Sequence, residues 1–230
     1  MIRRLRLPWP DEQLFDAREG RPIRLLAVSD QMDPAFSHER NRADLGPIDA
    51  ILGCGDLEPD YLGFLADAFR VPLMYVRGNH DRGLGWAKAE ELIPDPLPAN
   101  AVAFDELPIV GLSWPGPTSG RAERDESRAW TQAIGSALRL LRRRRPVLVL
   151  SHVPPRGMGD ADDVYHTGFR GYRWFAERVR PPVWLHGHTT YDPSRPWHET
   201  HGDTVFVNVT GAVLVELVAA GEERGVATAS

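Results

Sequence analysis

Short apolar runs that stop at polar, ligand-type residues organise this chain. Ile23 to Ser29 stops at Asp30, Ala50 to Cys54 at Gly55-Asp56, and Pro72 to Val76 just before Gly78-Asn79-His80-Asp81. Val147 to Leu150 precedes Ser151-His152, and Val183 to Leu185 precedes His186-Gly187-His188. Runs of this length, bounded by Gly or Pro and rich in Val, Leu and Ile, predict buried strands. Residues 107 to 113, Thr204 to Val209 and Ala212 to Val218 predict three more. The last two meet at a Gly211 turn, which predicts an antiparallel pair in a second sheet.

Helical spacing fills the gaps. Leu62, Leu65 and Phe69 repeat at i, i+3, i+7, with Asp60 as the expected N-cap. Trp130, Ile134, Leu138 and Leu141 mark one face of a helix from about Asp125 to Arg144, stopped by Pro146. Phe169 to Val179 predicts a third. Strands alternating with helices imply a layered α/β domain. At 230 residues, without internal repeat or linker, one domain is expected over 1–230, with its core at about 23–218 and frayed termini.

Composition narrows the classes. Apolar residues are 42% and charged residues 26%, ordinary globular values. A net charge of −5 argues against bulk binding to nucleic acid or an anionic membrane. The run Arg142-Arg143-Arg144-Arg145 closes a helix, where cations meet the negative end of the dipole, and reads as a solvated terminus. Cys54 is the only cysteine, so no intrachain disulfide forms; its apolar surroundings make it a small buried hydrophobe. No apolar run approaches the roughly 20 residues that span a bilayer. Pro8 and Pro10 break the basic N-terminus before any signal core. A cytoplasmic protein is expected.

The chemistry lies at the strand ends. In open α/β sheets ligands bind outside the carboxyl ends of the strands, and five such ends here carry Asp, Asn or His. One block would be turn chemistry; five converge on a divalent-cation site. Oxygen and imidazole ligands without thiolate suit Mn, Fe, Zn or Mg.

These blocks resemble the calcineurin-like metallophosphoesterase superfamily from about Ile23 to Val218. Its pattern is Asp-x-His, Gly-Asp, Gly-Asn-His-Asp/Glu, a lone His, then Gly-His-x-His; this chain supplies Asp30, Gly55-Asp56, Gly78-Asn79-His80-Asp81, His152 and Gly187-His188. The resemblance implies a four-layer α/β/β/α fold, a two-sheet β-sandwich flanked by helices. It implies hydrolysis of a phosphate mono- or diester by metal-activated water. Asp56 would bridge two metals, Asn79, His152 and His188 would complete the second site, and Asp30 would belong to the first. His80 would protonate the leaving oxygen, with Asp81 orienting its ring.

Two departures fall on one site. Met32 stands where the family has the histidine of Asp-x-His, and Thr190 where it has the last histidine of Gly-His-x-His. Met32 is a poor ligand for a hard cation and is expected to pack. One metal is therefore expected to bind firmly, with occupancy of the other open. Asp33 is nearest in sequence to the lost ligand, though Asp33-Pro34 also reads as a turn start. His38, Asp192, His198 and His201 are further candidates, the last two reading better as solvated loop residues. His166 either lines the pocket or is an ordinary loop histidine, and His186 needs no role beyond its strand. The expected partner is a small phosphorylated substrate, without membrane or nucleic acid. The rival reading is a catalytically degraded relative acting as a binding scaffold. Specificity is expected in the loops Arg82 to Glu106 and Trp114 to Glu126.

Overall fold

Strand β2 (Ile23–Ser29) is apolar on both faces, and that places it between two layers. Ile23, Leu25 and Ala27 face one cluster, Leu26 and Val28 another, as the period of two requires. A computed structural model describes residues 2–82, 84–88, 93–116, 124–143 and 145–221. The expected fraying of the last ten residues, and Arg144, lie outside the described residues, apart from Gly221.

The first sheet has the order β1-β11-β2-β3-β4, with β1 (Arg3–Trp9), β3 (Ala50–Cys54), β4 (Leu73–Val76) and β11 (Gly211–Ala219) around β2. Strands β2, β3 and β4 are parallel, β11 runs antiparallel to β2, and β1 runs parallel to β11. The second sheet has the order β5-β6-β7-β8-β10-β9. It contains β5 (Val102–Phe104), β6 (Leu107–Leu112), β7 (Leu148–Ser151), β8 (Val183–His186), β9 (His198–His201) and β10 (Thr204–Asn208). Its inner strands β6, β7, β8 and β10 are parallel.

The sheets face each other over a shared core in which Leu25, Leu52 and Val76 meet Ile109, Leu150 and Leu185. Helix α3 (Pro59–Phe69) covers the outer face of the first sheet, and Trp86 of the short helix α4 (Leu84–Ala87) joins the same cluster. The short helix α1 (Gln13–Asp16) packs Leu14 and Phe15 into the shared core, and α2 (Glu39–Ala43) buries no residue. Helices α5 (Glu126–Leu140) and α6 (Arg170–Val179) cover the second. The four-layer α/β/β/α expectation holds. No helix of the described residues is long and apolar enough to cross a membrane.

Four expectations need correction. Strands β10 and β11 do not pair with each other: Gly211, at φ 83°, turns the chain from the second sheet to the first. The core does not begin at Ile23, because β1 closes the edge of the first sheet and buries Trp9 completely. Glu58, not Asp60, is the N-cap of α3, with Pro59 in the first turn and Asp60 inside the helix.

The fourth concerns α5. Its buried face is Ala129, Ala133, Ala137 and Leu140, whereas Leu138 and Leu141 are 62% and 64% exposed and Ile134 is 42% exposed. The cause is the close approach of α6: a Cβ on Gly171 would sit 2.9 Å from the Trp130 backbone nitrogen. Backbones that near admit only small side chains between them, so the larger ones turn outward.

Candidate metal centre

Five strand ends, from both sheets, meet at one rim. Asp30, Asp56 and His188 all adopt left-handed backbone conformations, φ 60°, 56° and 66°, just beyond the ends of β2, β3 and β8. Such conformations cost side-chain-bearing residues energy and cluster where a site requires them. Glycines of the same blocks allow the close approach. A Cβ on Gly78 would overlap Asp56 Oδ1, and one on Gly187 would overlap Ser29 Oγ.

The central feature is a set of lone pairs facing one another. His152 is completely buried, and its Nδ1 lies 2.9 Å from the Cys54 carbonyl. A carbonyl only accepts, so Nδ1 carries the proton and a neutral ring turns its Nε2 lone pair inward. Nε2 lies 2.9 Å from Asn79 Oδ1, 3.2 Å from Asp56 Oδ2 and 3.2 Å from His188 Nδ1. His188 Nε2 donates to the Tyr165 carbonyl at 2.7 Å, leaving its Nδ1 as a lone pair too. Burial, then repulsion from His152, pushes His188 down to about 3, so its ring stays neutral.

Three acceptors thus stand within 3.2 Å of the His152 Nε2 lone pair, and a positive charge placed among them satisfies them together. Without a cation, that charge is a proton on His152. Burial disfavours it, but the bond to Asp56, the charges of Asp56 and Asp30, and the Cys54 carbonyl raise the His152 pKa to about 9. Burial likewise opposes ionisation of Asp56, yet its bond and charge pairing with His152, and the N–H and ring of His80, hold its carboxyl below the usual range. A divalent cation fits the same place. Ligand atoms of Asp30, Asp56 and His152 all lie within 4.8 Å of one another.

The other residues sort clearly. His80 donates its backbone N–H to Asp56 Oδ1 at 2.8 Å, while its side chain stands 71% exposed with Nε2 4.0 Å from Asp56 Oδ2. Asp81 does not orient that ring as the resemblance implies. Its Oδ2 accepts the backbone N–H groups of Asp56 (2.9 Å) and Gly78 (2.7 Å), tying the two loops together. Burial raises Asp81 to about 6; the Gly78 amide opposes the rise and the Asp56 carboxylate adds to it.

Asp30 Oδ2 accepts from the His188 N–H (3.0 Å) and lies 3.1 Å from Thr210 Oγ1, whose one proton also has the Thr189 carbonyl at 2.8 Å. Met32 does not pack; it is 58% exposed. Thr190 is exposed and lines a neighbouring cavity of about 520 Å³. Asp33 caps the following 3-10 turn by accepting the Ala35 N–H. His38 occupies the N-cap position of α2 without a side-chain capping bond, Asp192 holds Ser194, His201 bonds Glu199, and His198 lies on the exposed strand β9. The described residues thus offer no replacement for the missing first-site histidines.

His166 does reach the site. Its ring lies 5.5 Å from that of His188 and its Nδ1 is bonded to Asp163 Oδ2 at 2.7 Å. It lines a cavity of about 620 Å³ together with Asp30, Asp56, Asn79, His80 and His188. Trp114, Arg124 and Tyr165 line the same cavity and carry no spacing that marks them in the sequence.

The sequence profile described as calcineurin-like phosphoesterase matches residues 30–192. No curated protein sequence matches the chain. Among solved structures, TT1561 of Thermus thermophilus superposes with a TM-score of 0.57 at 16% identity, covering 83% of this chain and 90% of that one. A putative 5'-nucleotidase from Staphylococcus aureus, in complex with alpha-ketoglutarate, superposes with a TM-score of 0.54 at 15% identity, covering 83% of this chain and 49% of that one. At such identities the likeness is one of fold.

Proposed function

The chain belongs to the calcineurin-like phosphoesterase family, and from that premise we propose that it hydrolyses a phosphate mono- or diester in the cavity at the strand ends. The observation that carries this reading is the ring of lone pairs on His152, Asn79, Asp56 and His188. In it these four residues would hold a divalent cation, with Asp30 beside them, a ligand atom of which lies within 4.8 Å of those of Asp56 and His152. When bound, such a cation lowers the pKa of water from about 15.7 toward about 7 and neutralises phosphoryl oxygens.

The protein supplies the remaining steps. Cys54 and Tyr165 carbonyls fix the two imidazole rings, so neither ring must reorganise as substrate arrives. Asp81 clamps the loops that carry Asp56 and Asn79. Water adds to phosphorus, the ester P–O bond breaks, and the departing oxygen takes a proton. His80 is the donor in this reading, because its ring stands exposed in the cavity while its backbone is anchored to Asp56.

One observation favours the scaffold alternative: Met32 and Thr190 leave the first site without its histidines, and nothing among the described residues refills it. Purified protein with Mn²⁺ decides between them. It is expected to hydrolyse 4-nitrophenyl phosphate or its bis-ester, and chelator is expected to abolish turnover. No turnover above a His80→Ala control across esters and metals hands the fold to the scaffold reading.

A further inference from the structure

Arg124 shares the cavity with Asp30, Asp56, Asn79 and His80. Its guanidinium lies 4.4 Å over the Phe169 ring and donates to the carbonyls of Thr167 and, at 3.1 Å, Gly168. Among the described residues no ion pair reaches it. Burial lowers its pKa, with Glu126 and Asp160 opposing and Arg156 adding to the fall. A guanidinium has five N–H donors, and two neutral carbonyls do not use them all. Phe169 packs 5.7 Å from Trp114, which packs 6.2 Å from His188. An aromatic ledge thus runs from Arg124 to the ligand-type histidines.

Resting on the hydrolytic reading above, we infer that Arg124 is the anion-recognising residue of this site and makes it selective for phosphate monoesters over diesters. A monoester offers three non-bridging oxygens and, near neutral pH, two charges; a diester offers two oxygens and one charge. With one oxygen on the cation, only the monoester leaves two side by side for the planar fork of an arginine. The loss of histidines at Met32 and Thr190 sharpens the need. Where one cation is held firmly, a fixed guanidinium carries the second positive charge that a two-metal clamp would place on the phosphoryl group.

The test separates recognition from loop support. Arg124→Gln keeps an amide that can still donate to Thr167 and Gly168, and Arg124→Lys keeps charge without the fork. Calorimetry with inorganic phosphate and the Mn²⁺-loaded protein is expected to show binding about 10- to 100-fold weaker in Arg124→Gln, with Arg124→Lys between. The kcat/KM ratio of 4-nitrophenyl phosphate to its bis-ester is expected to fall by a similar factor. Unchanged phosphate affinity overturns the assignment. Equal losses for both esters, with the ratio preserved, overturn the selectivity and leave a loop brace. If wild-type protein turns over neither ester while phosphate binding still depends on Arg124, the anion site stands and the hydrolytic reading falls.

Discussion

The two halves of the cleft differ in whether their acceptors have donors. Around His152, four acceptors face one another with no proton to share unless one is forced onto the ring. Around Asp30, Oδ2 accepts the His188 N–H and lies 3.1 Å from the Thr210 hydroxyl, whose one proton also has the Thr189 carbonyl at 2.8 Å. An acceptor that already has a donor needs a cation less than a ring of lone pairs that only a proton on His152 or a cation can serve. Ligand-type residues at a strand end thus do not by themselves make a metal site. What matters is which polar atoms the fold leaves unsatisfied.

The largest expected effects set His80 against His188. Replacing His80 by Ala removes a free ring and no acceptor of the cluster. Turnover is expected to fall about 10²- to 10⁴-fold, the usual worth of a general acid, with bound metal unchanged. His188→Ala removes one of the four acceptors, so bound metal itself is expected to be lost on dialysis. Elemental analysis beside steady-state kinetics reads both. Equal metal loss in the two variants makes His80 a ligand and breaks the contrast.

The next effect is pH dependence, and its sign follows from His152. Its pKa rises to about 9 when no cation is present, so below that pH a cation must displace a proton to reach Nε2. Mn²⁺ affinity is therefore expected to climb about tenfold per pH unit between about pH 6.5 and 8.5 and to flatten above about 9. The metal-free protein is expected to show the opposite trend in stability. A histidine whose folded pKa is raised contributes stability that is full below about 6.5 and is lost toward about 9. Denaturant midpoints with and without Mn²⁺ at about pH 6.5 and 9 measure this. An affinity flat across the range means that His152 does not ligate.

Much of this contrast is written in the chain. The apolar runs before Asp30, Asp56, Asn79, His152 and His188 mark both the strands and the rim, because a strand buried on both faces has to be apolar throughout and can turn polar only at its end. Strand β1 escapes that logic. As an edge strand it exposes Arg4 and Arg6 while burying Leu7 and Trp9, and its arginines read as a basic tail. The buried face of α5 escapes too, since alanine gives a weak periodic signal and only the approach of Gly171 turns Ile134 and Leu138 outward. At the site, the histidines are legible from spacing, but the donors that serve Asp30 are not. Thr210 lies 180 residues from it and no motif links the two. The role of Asp81 is hidden for a related reason: its partners are backbone amides, which no sequence displays.

The smallest expected effect is the sharpest test of the weak half. Two carboxylates without imidazole suit a largely hydrated, loosely held cation. Dialysed protein is therefore expected to retain nearer one divalent ion per chain than two. Asp33→Ala and His201→Ala are expected to leave that number unchanged, because Asp33 spends its carboxylate on the Ala35 N–H and His201 faces Glu199. Both variants are needed, since Asp33 lies closest in sequence to Met32 and His201 belongs to the stretch after Thr190. A second tightly retained ion would show that the Asp30 half is also a site. Loss of that ion in one variant alone would identify the residue that had moved to complete it.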